Sequence, residues 1–209
     1  MSIYPNASAA VTGVVLAGGQ ARRMGGEDKG LVRVAGKPML EHVIARLVPQ
    51  VSTLIINANR NLEDYAAYGY PVLPDEGGGF CGPLAGIASA MRFARTPLVL
   101  AVPCDSPFVP ADLCARLHQR LQTDGAEICT AHDGERLHPV FALLQTALLP
   151  SLRRYLGAEG RKIDRWYGQH RLVTVDFSDA PAAFININSP EELREVERML
   201  GAAAPQNAA

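Results

Sequence analysis

Short apolar runs alternate with helical stripes from residue 11 to residue 200. Val11 to Leu16, Thr53 to Ile56, Val72-Leu73 and Leu98 to Val102 have the length and branched content of buried strands. Between them, Leu40, Val43, Ile44 and Leu47 repeat at the spacing of one buried helical face, and Leu84, Ile87, Ala88 and Met91 do the same. A shorter helix is predicted around Leu62 to Tyr68, and Pro83 suits a first helical turn. Leu31 to Val34 reads as a short extended piece, Pro49 ends the first helix, and His42, off its stripe, is expected in solvent.

The second half is patterned differently. Pro110 is expected to open a helix with Leu113, Leu117 and Leu121 inside. Ala126 to Ala131 and His138 to Leu143 read as strands joined through an Asp133-Gly134 turn, and Thr146 to Leu156 as a helix. Val173 to Asp176 predicts a short strand. Phe184 to Asn188 alternates apolar and polar residues as a half-exposed strand does. Ser189-Pro190-Glu191-Glu192 is a capping box with proline at the first helical position, starting a last helix with Leu193, Val196 and Leu200 inward. Strands alternating with helices imply an α/β fold: a mostly parallel, Rossmann-like sheet covered on both faces, with a mixed edge. No internal linker or repeat interrupts the pattern, so one domain is expected over 11–200, with 1–10 and 201–209 as flexible termini.

Composition narrows the function. The 209 residues are 48% apolar and 20% charged, ordinary values for a globular chain. A formal net charge of −1 gives no global basic field for holding nucleic acid by its backbone. Cys81, Cys104, Cys114 and Cys129 show no C-x-x-C spacing, which points to free thiols in a reducing cytosol rather than a metal site. Met1 to Ala10 lacks the basic start and apolar centre of a signal peptide, and no apolar run reaches the length of a membrane span. A cytoplasmic protein without membrane or nucleic-acid partners is expected.

The chemistry concentrates in Leu16 to Gly30, a loop with glycines at 18, 19, 25, 26 and 30 and cations at Arg22, Arg23 and Lys29. Glycines let a backbone turn sharply and approach a ligand, and the exposed N–H groups of such a turn suit phosphate oxygens. Two familiar phosphate motifs are absent. A P-loop requires Gly-Lys-Ser/Thr, whereas Lys29 stands between Asp28 and Gly30, and Gly18-Gly19-Gln20 does not supply G-x-G-x-x-G.

Asn57, Asp75 and Asp105 each follow a predicted strand, as does the glycine loop. In a parallel sheet the carboxyl ends of strands share one edge, where open α/β sheets bind ligands. Asn57 is equally readable as a strand-end turn residue and Asp75 as a solvated loop acid. Asp105, at the end of a central strand, needs a cation or several donors. His118, His132 and His170 read as structural or solvated. His138 either orients a phosphate or is a satisfied hydrogen-bonding residue. Trp166 and Tyr167, after Arg161, Lys162 and Arg165, are either a wall of a binding site or a half-buried structural patch.

The loop is similar to the L-A-G-G-x-[SA]-x-R-M-G-x-x-K signature of nucleotidyltransferases. With Gly82-Pro83-Leu84-Ala85-Gly86, Pro103-Cys104-Asp105, His138 to Leu143 and Asn186 to Leu193, the chain most resembles the molybdenum cofactor guanylyltransferases, from about Thr12 to Leu200. The resemblance implies a three-layer nucleotide-diphospho-sugar-transferase fold and transfer of GMP from GTP to the terminal phosphate of molybdenum-molybdopterin. It also implies that Leu16, Ala17, Gly18, Gly19, Lys29, Asn57, Asp75 and Asp105 contact the nucleotide. Asp105 would hold Mg²⁺, with Lys29 and Arg22 assisting in catalysis, and Asn186 and Asn188 would receive the pterin. Other cofactor-biosynthesis proteins and acceptor apoenzymes are the implied partners. A cytidylyl- or sugar-phosphate nucleotidyltransferase, or a catalytically silent nucleotide-binding protein, remain the competing functions.

Overall fold

The computed structural model describes residues 11–18, 28–76, 82–187 and 189–203. Its strands are β1 (Val11–Leu16), β2 (Arg33–Val34), β3 (Lys37–Pro38), β4 (Thr53–Asn57), β5 (Val72–Leu73), β6 (Leu98–Pro103), β7 (Ile128–His132), β8 (Leu137–Gln145) and β9 (Leu172–Asp176). Seven of them form one sheet in the order β5-β4-β1-β6-β8-β7-β9. β1 pairs in parallel with β4 and β6, β4 with β5, and β7 with β9, while β8 runs antiparallel to both its neighbours. One reversed strand in an otherwise parallel sheet is the expected mixed arrangement.

The helices are α1 (Met39–Leu47), α2 (Leu62–Ala66), α3 (Pro83–Phe93), α4 (Leu113–Thr123), α5 (Leu149–Gly157), α6 (Ile163–Tyr167) and α7 (Pro190–Ala203). They cover both faces of the sheet, which is why the central strands are apolar throughout. Successive side chains along a strand point to opposite faces. Val11 and Val15 of β1, with Leu98, Leu100 and Val102 of β6, therefore join the core under α1, α2 and α4. Val14, Val99 and Ala101 join the other core, under α3, α5 and α6.

A third, small cluster of Val34, Met39, Ile187 and Val196 docks α7 onto the β2–β3 hairpin. Ala35 and Gly36 make the hairpin turn in the left-handed region (φ 48° and 79°), and the Ala35 N–H donates to Glu197 Oε1 at 3.1 Å. At the capping box the Glu192 N–H donates to Ser189 Oγ at 3.2 Å. The last helix continues to Ala203, beyond the Leu200 boundary expected from its stripe.

Several expectations are corrected. Phe184 to Asn188 is not a strand among its described residues: a 3-10 turn over Pro181–Phe184 leads into chain without a ladder, because the Ile187 N–H bonds to the Asp105 carbonyl (3.1 Å) instead of to a neighbouring strand. Leu31 belongs to a 3-10 turn over Lys29–Leu31, so the extended piece starts only at Arg33. α4 opens at Leu113, three residues after Pro110. His42 is half-buried rather than solvated, its Nε2 2.9 Å from the Val34 carbonyl.

Candidate active site

The carboxyl ends of four parallel strands meet at one edge. Leu16 stands opposite Asn57 on one side and Pro103 on the other, and Asn57 opposite Leu73. The chain keeps these neighbours together as it leaves the sheet: the Ala17 N–H bonds to the Asn57 carbonyl (2.8 Å), Ala58 to Leu73 (3.1 Å) and Cys104 to Leu16 (3.1 Å). Leu16, Ala17, Gly18, Asn57, Asp75 and Asp105 are thereby brought to one rim, as the sequence predicts.

Lys29 reaches the same rim from the far end of the glycine loop. Its Nζ lies 3.0 Å from Asp105 Oδ2, and both side chains are part-exposed, at 21% and 16%. Among the described residues, Lys29 is the one donor to the Asp105 carboxylate, leaving Oδ1 open to a ligand. Gly19, Arg22 and Asn188 lie outside the described residues.

Asn57 and Asp75 are neither a bare turn residue nor a solvated acid. Both are buried. The Asn57 amide donates to Asp75 Oδ1 (3.0 Å) and the Leu73 carbonyl (3.0 Å). Asn59 completes the cluster, donating to Asp75 Oδ2 (2.9 Å) and accepting the Asp75 N–H (2.8 Å). Asn59 belongs to none of the sequence motifs; its two-residue spacing from Asn57 is the available signal. Gly86 closes the Gly82-Pro83-Leu84-Ala85-Gly86 motif for a steric reason. A Cβ there would overlap the Asn57 side-chain oxygen and lie 2.7 Å from Leu16 Cδ2, so only glycine lets α3 come this close.

Behind Lys29, Asp28 is buried and accepts the Tyr65 hydroxyl (2.5 Å), Asn61 Nδ2 (3.2 Å) and Arg60 Nε (3.3 Å). Burial pushes the Tyr65 phenol far above its ordinary range, so it remains a donor. Asp28, Tyr65, Arg60 and Asn61 carried no motif role; their link is tertiary.

At the other end of the rim, Ser106 is fully buried and its hydroxyl donates to Asn186 Oδ1 (2.6 Å). With the Ile187–Asp105 backbone bond, this fixes the Asn186 segment directly beside Asp105. Cys104 adjoins Asp105 but is no nucleophile, because burial holds its thiol well above the usual range.

His138 resolves as a satisfied residue. Its Nε2 is 2.7 Å from Asp133 Oδ2 and its ring stacks on Phe184 at 4.2 Å. Trp166 and Tyr167 are no binding wall: both are buried in the core under α3, α5 and α6, with the Tyr167 hydroxyl donating to the Pro139 carbonyl at 2.9 Å.

Among the described residues no three His, Cys, Asp or Glu side chains gather as a metal cage. A single part-exposed carboxylate still fits Mg²⁺, which keeps several waters and is commonly held by one or two carboxylates plus substrate phosphates. No described helix is long and apolar enough to cross a membrane.

The mostly parallel sheet with helices on both faces is the α/β fold of nucleotidyltransferases, with Lys29 and Asp105 at its carboxyl edge. The fold is similar to that of the molybdopterin-guanine dinucleotide biosynthesis protein A of Archaeoglobus fulgidus, at a TM-score of 0.78 and 22% identity over 91% of this chain and 99% of that one. In sequence, residues 13–173 match the MobA-like NTP transferase domain. The chain is 48% identical to the molybdenum cofactor guanylyltransferase of Shewanella amazonensis over 91% of its own length and 97% of the relative's. With the corresponding protein of Shewanella woodyi the identity is 50%, over 89% and 95%. The chain belongs to the MobA-like NTP transferase family.

Proposed function

We propose that this chain is a guanylyltransferase that moves GMP from GTP to the terminal phosphate of molybdenum-molybdopterin. A phosphate oxygen of the acceptor forms a bond to the α-phosphorus of GTP. The bond from that phosphorus to the bridging oxygen breaks, and pyrophosphate leaves with the electron pair. The observation that supports this most is the Lys29–Asp105 pair, 3.0 Å apart at the rim where β1 and β6 end beside the glycine loop. The names of the 48–50% identical relatives support the base and the acceptor.

An anionic nucleophile must approach an anionic centre, so catalysis is mostly alignment and charge neutralisation. No general base is required, since a terminal phosphate is already largely ionised at neutral pH (second pKa about 6). One cation about 4 Å from a phosphate oxygen is worth about 4 kcal/mol at an effective dielectric near 20. Lys29 supplies such a charge, and Arg22 is assigned the same role from the loop sequence. Mg²⁺, held by Asp105 and the phosphates, would supply further charge neutralisation when bound.

Asn57 and Asp75, with Gly18 and Gly19, are assigned to the nucleoside and phosphates, and Asn186 and Asn188 to the pterin. A carboxylate such as Asp75 is an acceptor, which suits the N–H groups of a guanine edge. The reaction belongs to the cytoplasm, where the buried thiols of Cys104, Cys114 and Cys129 stay reduced. The proteins that deliver the pterin and collect the product are its expected partners.

The deciding experiment titrates the chain calorimetrically with GTP, CTP, ATP and UTP in Mg²⁺, then measures pyrophosphate release with molybdenum-loaded pterin as acceptor. GTP is expected to bind in preference and to release pyrophosphate only with acceptor present. Preference for CTP would make it a cytidylyltransferase. Binding without pyrophosphate release from any acceptor would leave a nucleotide-binding protein.

A further inference from the structure

Asp28 is a buried carboxylate that the transfer chemistry does not use. Its side chain is 2% exposed, too enclosed to meet a substrate. A carboxylate so placed is tolerated only with several donors, and it has them in the Tyr65 hydroxyl, Asn61 Nδ2 and Arg60 Nε. All three donors come from the segment between β4 and the end of α2, while the acid itself sits on the glycine loop.

The same residue governs the turn that follows. The Asp28 carbonyl accepts the N–H groups of Leu31 (2.9 Å) and Val32 (3.2 Å), closing the 3-10 turn whose first residue is Lys29. Gly30, the middle residue, lies against Tyr65: a Cβ on it would stand 2.6 Å from the phenol oxygen. Glycine at 30 thus lets Tyr65 pass under the turn to reach Asp28. Side chain and backbone of Asp28 together fix both the position and the pitch of the turn that aims Lys29 at Asp105.

We propose that Asp28, held by Tyr65, is a positioning residue for nucleotidyl transfer, setting where the Lys29 ammonium stands relative to Asp105 and the triphosphate. The role rests on the nucleotidyltransferase reading of the Lys29–Asp105 pair. A long lysine side chain is mobile, and misplacement by about 1 Å costs on the order of 100-fold in rate. Anchoring the turn at a buried ionic cluster removes that freedom before the nucleotide arrives.

The test is a double-mutant cycle on two readouts, pyrophosphate release and calorimetric GTP affinity. Asp28→Asn and Tyr65→Phe are each made in the parental chain and in a Lys29→Gln background, with melting curves confirming the folded state. Either single change is expected to lower turnover roughly 10- to 100-fold in the parental chain and to have little further effect once Lys29 is gone. Tyr65→Phe keeps the ring that fills the core, so it carries the cycle if Asp28→Asn fails to fold. Where turnover in the Lys29→Gln background falls below detection, GTP affinity closes the cycle. Equal fold-losses in both backgrounds on the measurable readout would show that Asp28 and Tyr65 act on the fold alone and would overturn the proposal. Parental turnover in Lys29→Gln itself would instead remove the functional reading on which it rests.

Discussion

Two acid–base pairs stand on opposite halves of the sheet and look alike in distance. Lys29 Nζ is 3.0 Å from Asp105 Oδ2, and His138 Nε2 is 2.7 Å from Asp133 Oδ2. Their surroundings differ. Asp133 is saturated: Oδ1 takes the N–H groups of Glu135 (2.9 Å) and Arg136 (2.8 Å), Oδ2 takes His138, and the imidazole is stacked on Phe184. Asp105 receives a single donor among the described residues and lies just past the carboxyl end of β6, within reach of Lys29. Proximity of an acid and a base therefore does not mark a site. Unspent bonding capacity at a strand edge does, because a ligand needs acceptors and donors that the fold has not already consumed.

The comparison breaks most decisively at Asp105. Asp105→Ala is expected to abolish pyrophosphate release, and Lys29→Ala to reduce it at least about 100-fold, while melting curves stay close to the parent. Parental turnover in either variant would place the chemistry elsewhere. On the other half, Trp166→Ala empties a fully buried position and should cost about 3–5 kcal/mol in denaturant unfolding. Its turnover per folded molecule should be unchanged; a raised KM for the pterin acceptor there would restore the binding-wall reading.

Gly86→Ala sharpens the comparison at the rim. The added methyl meets Asn57 and Leu16, so GTP affinity is expected to fall about 10-fold, from a local shift worth about 1–3 kcal/mol. Calorimetry reads this directly, and unchanged affinity would detach the Asn57–Asp75 cluster from the nucleotide.

The smallest effect belongs to Asp133. The Arg136 N–H, then His138 and the Glu135 N–H, hold its carboxyl below the usual range. A carboxyl depressed in the folded state stabilises it above the unfolded pKa of about 3.9, and that stabilisation fades as pH falls through the folded value. Asp133→Asn should therefore melt earlier than the parent at pH 7, with the gap closing in the most acidic samples. Turnover should keep its parental pH profile, and a changed profile would bring the pair into the site.

Much of the rim is legible in the amino-acid sequence. Strand periodicity located Asn57, Asp75 and Asp105 at carboxyl ends, and parallel pairing then obliges those ends to share an edge. What a local pattern leaves open is where the fold buries a side chain. Phe184 to Asn188 alternates like a strand, yet its pattern reflects Phe184 buried in an aromatic cluster and Ile187 packed under α7. Trp166 and Tyr167 follow basic residues, a pattern equally open to a binding wall and to a structural patch, and a five-residue helix decides it by turning both rings into the core.

The amino-acid sequence by itself determined the alternation of elements, the layers they build and the residues offered at the strand ends, because periodicity and chain punctuation act over a few residues. Only tertiary structure decided which polar groups would be consumed. Asn59 on Asp75, Tyr65 on Asp28, Ser106 on Asn186 and Asp133 on His138 are pairings that the pattern did not reveal. Whether a buried polar atom is satisfied depends on what the fold brings beside it, and for most of these pairs that partner comes from a different element of the chain.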